Sequence, residues 1–98
     1  MNKNELLLKL SPHIFWNCDA GKLDYKKNKD IIIDRIIKYG LENDIIIMWK
    51  LYSRRAIKKV AVNIDVLENM RILYYSVMLG IKEKDFKCYR RMQFQKNY

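Results

Sequence analysis

Few side chains in this sequence are equipped for chemistry, and most of them stand close together. Leu10 to Tyr25, L-S-P-H-I-F-W-N-C-D-A-G-K-L-D-Y, holds the only histidine, His13, the only proline, Pro12, and one of the two cysteines, Cys18. It also holds Trp16, one of two tryptophans. His13, Cys18 and the distant Cys88 are zinc-ligand types, but a zinc motif pairs its ligands roughly two to four residues apart, which this spacing does not do. A lone histidine, with no serine or cysteine in a nucleophile context, argues against a catalytic triad. Three scattered glycines cannot build a phosphate loop or a dinucleotide fingerprint. The acidic residues fall mostly at helix starts or on charged faces, where capping and the helix dipole explain them. The expectation is a chain that is not an enzyme, with no catalytic residue, no metal and no cofactor. Cys18 and Cys88 then read as small buried apolar residues, and Phe15 and Trp16 as plugs that pin a loop to a core.

The elements that position this stretch are helical by pattern. Met1 to Lys9 reads as an arm or a short helical turn, and Ser11 followed by Pro12 is a helix-start signal whose turn covers His13 to Trp16. Asn17 to Gly21 is a loop. Asp24 is the next cap, opening a helix to about Tyr39 that stops at Gly40, a residue type suited to the left-handed conformation past a helix end. Ile32, Ile33, Ile36 and Ile37 form its buried stripe, and Asp34 and Lys38 pair on the outside. Glu42 or Asn43 opens a second helix, apolar nearly all round and therefore expected to be central.

Ser53 caps a third helix, Arg54 to Val62, with Ala56, Ile57, Val60 and Ala61 inward and Arg54, Arg55, Lys58 and Lys59 outward. Asp65 caps a fourth, whose inward stripe is expected to be Val66, Leu67, Met70, Leu73, Tyr74, Val77 and Met78. A narrower stripe of Ile72, Tyr75 and Leu79 lies on its other side, which means a second packing neighbour or a partner. A last helix runs from about Glu83 through Phe86 and Tyr89 into a basic tail, residues 90–98. The fold expected is an all-α single compact domain of about five short helices, with a helix-turn-helix-like second half joined at Asn63 and Ile64.

The chain of 98 residues carries 20 Lys and Arg against 11 Asp and Glu, a net charge of +9. That excess suits an acidic protein surface or a nucleic acid. An AT-rich coding sequence gives the same Ile-, Lys- and Asn-rich composition without selection for binding. No signal-peptide pattern opens the sequence, and no apolar run approaches the roughly 20 residues of a membrane span. A cytoplasmic protein with reduced thiols and no membrane partner is expected.

Several landmarks together resemble a small bacterial family, the domain of unknown function 6922 type. They are L-S-P-H-I-F-W-N-C-D from Leu10, L-D-Y-K-K-N-K-D-I-I-I-D-R-I-I-K-Y-G from Leu23, Trp49, and L-G-I-K-E-K-D-F-K-C-Y ending at Tyr89. Members often sit beside AbiEii-type nucleotidyltransferases. The resemblance therefore implies an antitoxin or accessory partner of such a toxin and carries no catalytic motif. At Asn17, Cys18 and Asn69 to Arg71 the chain departs from the family pattern.

Two functions follow as expectations. The first is a protein-interaction module that binds a nucleotidyltransferase-like partner through His13, Trp16, Asn17, Asp19, Ile72, Tyr75 and Leu79, with a homodimer open as well. The alternative is a small DNA- or RNA-binding protein, such as an operon autorepressor, using Arg54, Arg55, Lys58, Lys59, Arg90 and Arg91.

Overall fold

The computed structural model of the chain describes residues 2–15, 19–65 and 67–87. They form five α-helices and three short 3-10 turns, with no strand among the described residues, so the chain is all-α. Its contacts group into two compact units, Met1–Ser53 and Arg54–Tyr98.

In the first unit, α1 (Lys3–Leu7) is started by Asn2, whose side-chain oxygen accepts from the amides of Asn4 and Glu5. The Asn4 side chain in turn donates to Asp24 and accepts from the Tyr25 amide, which ties this N-terminal helix to the turn before the next one. Leu7 and Leu10 are buried. A 3-10 turn, Pro12–Phe15, follows and buries Ile14 and Phe15; a second is Ala20–Lys22.

Asp24 does act as a cap, but of a turn. Its carboxylate accepts from the amides of Lys26 and Lys27, its carbonyl accepts from Asn28, and α2 (Lys29–Tyr39) begins only after that turn. In α2 the expected stripe is in place, with Ile32, Ile33, Ile36 and Ile37 all fully buried. Each contributes roughly 1.5–3 kcal/mol of transfer free energy. Asp34 and Lys38 form the expected one-turn ion pair at 3.1 Å, worth about 0.3–0.5 kcal/mol at a solvated site. Gly40 departs from expectation: its backbone is extended, with φ −67° and ψ 142°. The reason for glycine is space, because a Cβ there would lie 2.5 Å from the Ile36 carbonyl oxygen.

Helix α3 (Glu42–Leu51) is amphipathic where an all-round apolar helix was expected. Ile47, Met48 and Leu51 are buried, Ile45 and Trp49 half-buried, and Ile46 faces solvent. Tyr52, just past its end, donates from its hydroxyl to the Tyr25 carbonyl at 2.8 Å, and burial raises its pKa well above the ordinary tyrosine range.

In the second unit, α4 (Arg54–Asn63) starts where predicted, buries Ile57 and Ala61, and packs on α5 (Asn69–Leu79). The link between them runs from Ile64 to Glu68, longer than the two-residue join expected, because Asp65 does not cap a helix. Its carboxylate is paired with Lys87 at 2.8 Å, and α5 begins after Glu68. At its other end Gly80 takes the left-handed conformation (φ 65°), and the Gly80 and Ile81 amides both reach the Ser76 carbonyl. This is a Schellman-type stop. The Ser76 hydroxyl donates back to the Ile81 carbonyl. At the start of the expected last helix, Glu83–Asp85 forms a 3-10 turn leading to the buried Phe86, and Lys87 after it is helical. Tyr89 and the rest of the tail lie outside the described residues.

Candidate functional site: the exposed face of the fifth helix

The loop that gathers the rare residues is braced from within. His13 is exposed, with Nε2 2.7 Å from the Tyr39 carbonyl oxygen. A carbonyl can only accept, so Nε2 carries the proton and the ring ties the first 3-10 turn to the end of α2. Ser11 reaches further. Its amide donates at 2.8 Å to one carboxylate oxygen of Asp44, whose other oxygen accepts at 2.9 Å from the Leu41 amide at the start of α3. Asp44 is fully buried, and these two charge-assisted bonds let the carboxylate sit in the core. Arg35, also buried, donates from Nη1 to the Ile14 carbonyl at 3.2 Å. Asp19 is exposed and spends one carboxylate oxygen on the Gly21 amide at 2.9 Å, which shapes the second 3-10 turn.

The side chains of His13 and Asp19 therefore both serve local geometry. Trp16 and Asn17, the other two loop positions expected to meet a partner, lie outside the described residues, as do Cys18 and Cys88. Beside the loop, Phe15, Leu23, Ile31, Ile32 and Arg35 line a shallow cleft that encloses about 10 Å³. Small-molecule sites occupy roughly 300–1,000 Å³, so this cleft is not a substrate pocket. No three His, Cys, Asp or Glu side chains among the described residues stand close enough to hold a metal.

Helix α5 reverses the expected orientation. Ile72, Tyr75 and Leu79, proposed from sequence as partner-facing, are buried, and the buried side is continued by Ile81 and Phe86. The stripe expected to face inward is turned to solvent: Met70 is 71% exposed, Leu73 48%, Tyr74 38%, Val77 71% and Met78 43%. Of that stripe Leu67, before the helix, is buried as expected, and Val66 lies outside the described residues. The Tyr75 hydroxyl finds no hydrogen-bond partner among the described residues, and burial raises its pKa. Its ring meets Tyr74 edge-on, with centroids 4.8 Å apart.

Both stripes of α5 follow the helical period, so period alone could not choose between them. Residue type does not separate them either, since each stripe holds a leucine and a tyrosine.

On α4, Arg54, Arg55, Lys58 and Lys59 are all exposed, as expected, and none makes an ion pair among the described residues. Arg90 and Arg91 lie outside the described residues. No described helix is long and apolar enough to cross a membrane.

No curated protein matches this chain, and neither does any solved structure. One family profile matches residues 10–61, from the first residue of the L-S-P-H motif to a position inside α4, which is just over half of the chain. The chain thus belongs to the family of unknown function DUF6922.

Proposed function

We propose that this chain is a protein-interaction module with no chemistry of its own, and that the solvent-facing stripe of α5 is its recognition face. In the finer reading it acts in the bacterial cytoplasm as an antitoxin or accessory partner of a nucleotidyltransferase-type toxin. The observation that carries the module is the stripe of Met70, Leu73, Tyr74, Val77 and Met78, which leaves five large apolar side chains in water on one helix. Scattered apolar residues on a surface are ordinary; a contiguous set is the mark of an interaction site. The toxin partner rests on the sequence resemblance alone.

Co-expression with an AbiEii-type nucleotidyltransferase, the partner class that the sequence resemblance implies, tests both levels. The wild-type chain co-purifies with the enzyme and relieves its growth arrest, while Val77→Glu, at a position that bears no core contact, folds normally and loses both. Equal binding and rescue by Val77→Glu would move the recognition face elsewhere; no binding by the wild-type chain would remove the toxin as the partner.

A second reading is favoured by one observation, the exposed quartet Arg54, Arg55, Lys58 and Lys59 without ion pairs among the described residues. Four cations along one helix suit a phosphate backbone, and such binding weakens steeply with salt. A gel shift of the operon's promoter DNA at low salt decides it, and no shift there would dismiss it.

A further inference from the structure

We propose that the exposed stripe of α5 and the Arg54 guanidinium at its C-terminal end form one docking surface for an acidic amphipathic helix of a partner protein. The proposal rests on the reading of α5 as a recognition face and adds the chemistry of what binds there. The spacing of Met70, Leu73, Tyr74, Val77 and Met78 is i, i+3, i+4, i+7 and i+8, a straight seam along one helix. A second helix laid along such a seam meets a matching set of apolar anchors.

Area decides that the seam needs help. Five half-exposed side chains present on the order of 500 Å², short of the roughly 800 Å² per partner of a standard interface. A stable complex must therefore also use what flanks the seam.

The flanks are electrostatically unequal. Beyond the N-terminal end, Glu68 is engaged by Arg71 at 3.8 Å and Asp65 by Lys87 at 2.8 Å. At the C-terminal end, Arg54 Nη2 lies 3.6 Å from where a Cβ on Gly80 would stand, so its guanidinium sits against the residue that ends α5. Neither Arg54 nor the exposed Lys82, two residues beyond Gly80, makes an ion pair among the described residues. Lys82, Glu83, Lys84 and Asp85 make no ion pair among the described residues and cancel one another, so the unspent charge at this end is that of Arg54, which is positive. Carboxylates on the occupant gain bidentate contact with Arg54, and lysines in their place meet repulsion. A second copy of the chain carries another net +9, and that like charge opposes self-pairing.

The probe is a display library of helical peptides, apolar at i, i+3, i+4 and i+7 and randomised elsewhere, selected on the full-length chain and counter-selected on Val77→Glu. The recovered peptides are expected to carry an excess of Asp and Glu, to lose about tenfold in affinity on Arg54→Glu, and to weaken as salt rises. Recovered peptides with no acidic excess, or binding unchanged by Arg54→Glu, would overturn this inference while leaving α5 as a recognition face. Failure to recover any peptide that prefers wild type over Val77→Glu would instead overturn both. Sedimentation supplies the last arm. A dimer that Val77→Glu dissociates would assign the seam to a second copy and contradict the acidic occupant.

Discussion

At the scale of single residues, Asp44 does more than its position in the sequence suggests. Its place as the third residue of α3 marks it as a helix-start carboxylate, and one of its two bonds, to the Leu41 amide, is of that kind. The other, to the Ser11 amide, spans 33 residues and fastens the L-S-P-H stretch to the helical core. An amide side chain at that place would accept one of these bonds and turn its NH2 group toward the other donor. Asp44→Asn should therefore cost roughly 1.5–3 kcal/mol, the worth of a hydrogen bond to a charged group. A denaturant melt with unchanged m-value and a lower midpoint checks it. A midpoint equal to wild type would mean that the loop is held by other contacts.

The reach of Asp44 to Ser11 was not legible in the sequence, because local pattern reports only bonds closed within a few residues. The same holds for His13. Its ring nitrogen binds the Tyr39 carbonyl, 26 positions away in the chain.

At the scale of elements, the sequence was most informative where one face of a helix is unmistakably apolar. Ile32, Ile33, Ile36 and Ile37 in α2 and the basic outer face of α4 stand where the pattern puts them. It was least informative where a helix carries two stripes, as α5 does, since burial there is decided by what packs against it. Turn chemistry lay between: Gly80 is the left-handed stop of α5, while Gly40 is required by the Ile36 carbonyl and not by its dihedral angles.

The turn before α2 also carries a pH signature. The Asp24 carboxylate accepts from the Lys27 amide, and then from the Asn4 side chain and the Lys26 amide, and these bonds hold its pKa below the ordinary aspartate value. A carboxylate depressed in the folded state stabilises the fold above its unfolded pKa, and that contribution is lost as pH falls through the folded value. The thermal midpoint of wild type should consequently fall more steeply below about pH 4 than that of Asp24→Asn, which has no charge to lose. Parallel slopes for the two proteins would show that Asp24 does not contribute to acid sensitivity.

At the scale of the whole molecule, the all-α class was legible from helical periodicity together with the lack of hairpin signals. The landmark residues from Leu10 to Trp49 also pointed to the family, whose profile covers residues 10–61; the landmark from Leu79 to Tyr89 lies beyond it. The candidate site was legible only in part. Its helix was named, and its cations Arg54 to Lys59 were placed outward, but the apolar residues offered to a partner were the complementary set. The proposed recognition face rests on one property, the exposure of five large apolar side chains on α5.

Exposure at α5 can be read without any partner, because the chain places methionines on both sides of the question. Met70 and Met78 lie on the open stripe, and Met48 is fully buried in α3. Thioether oxidation follows solvent access. Timed treatment of the folded chain with dilute hydrogen peroxide, followed by peptide mass spectrometry, should find Met70 and Met78 converted roughly tenfold faster than Met48, with Met70 leading. Protection of Met70 and Met78 to the level of Met48 in the free protein would contradict the account, since the stripe would then already be covered.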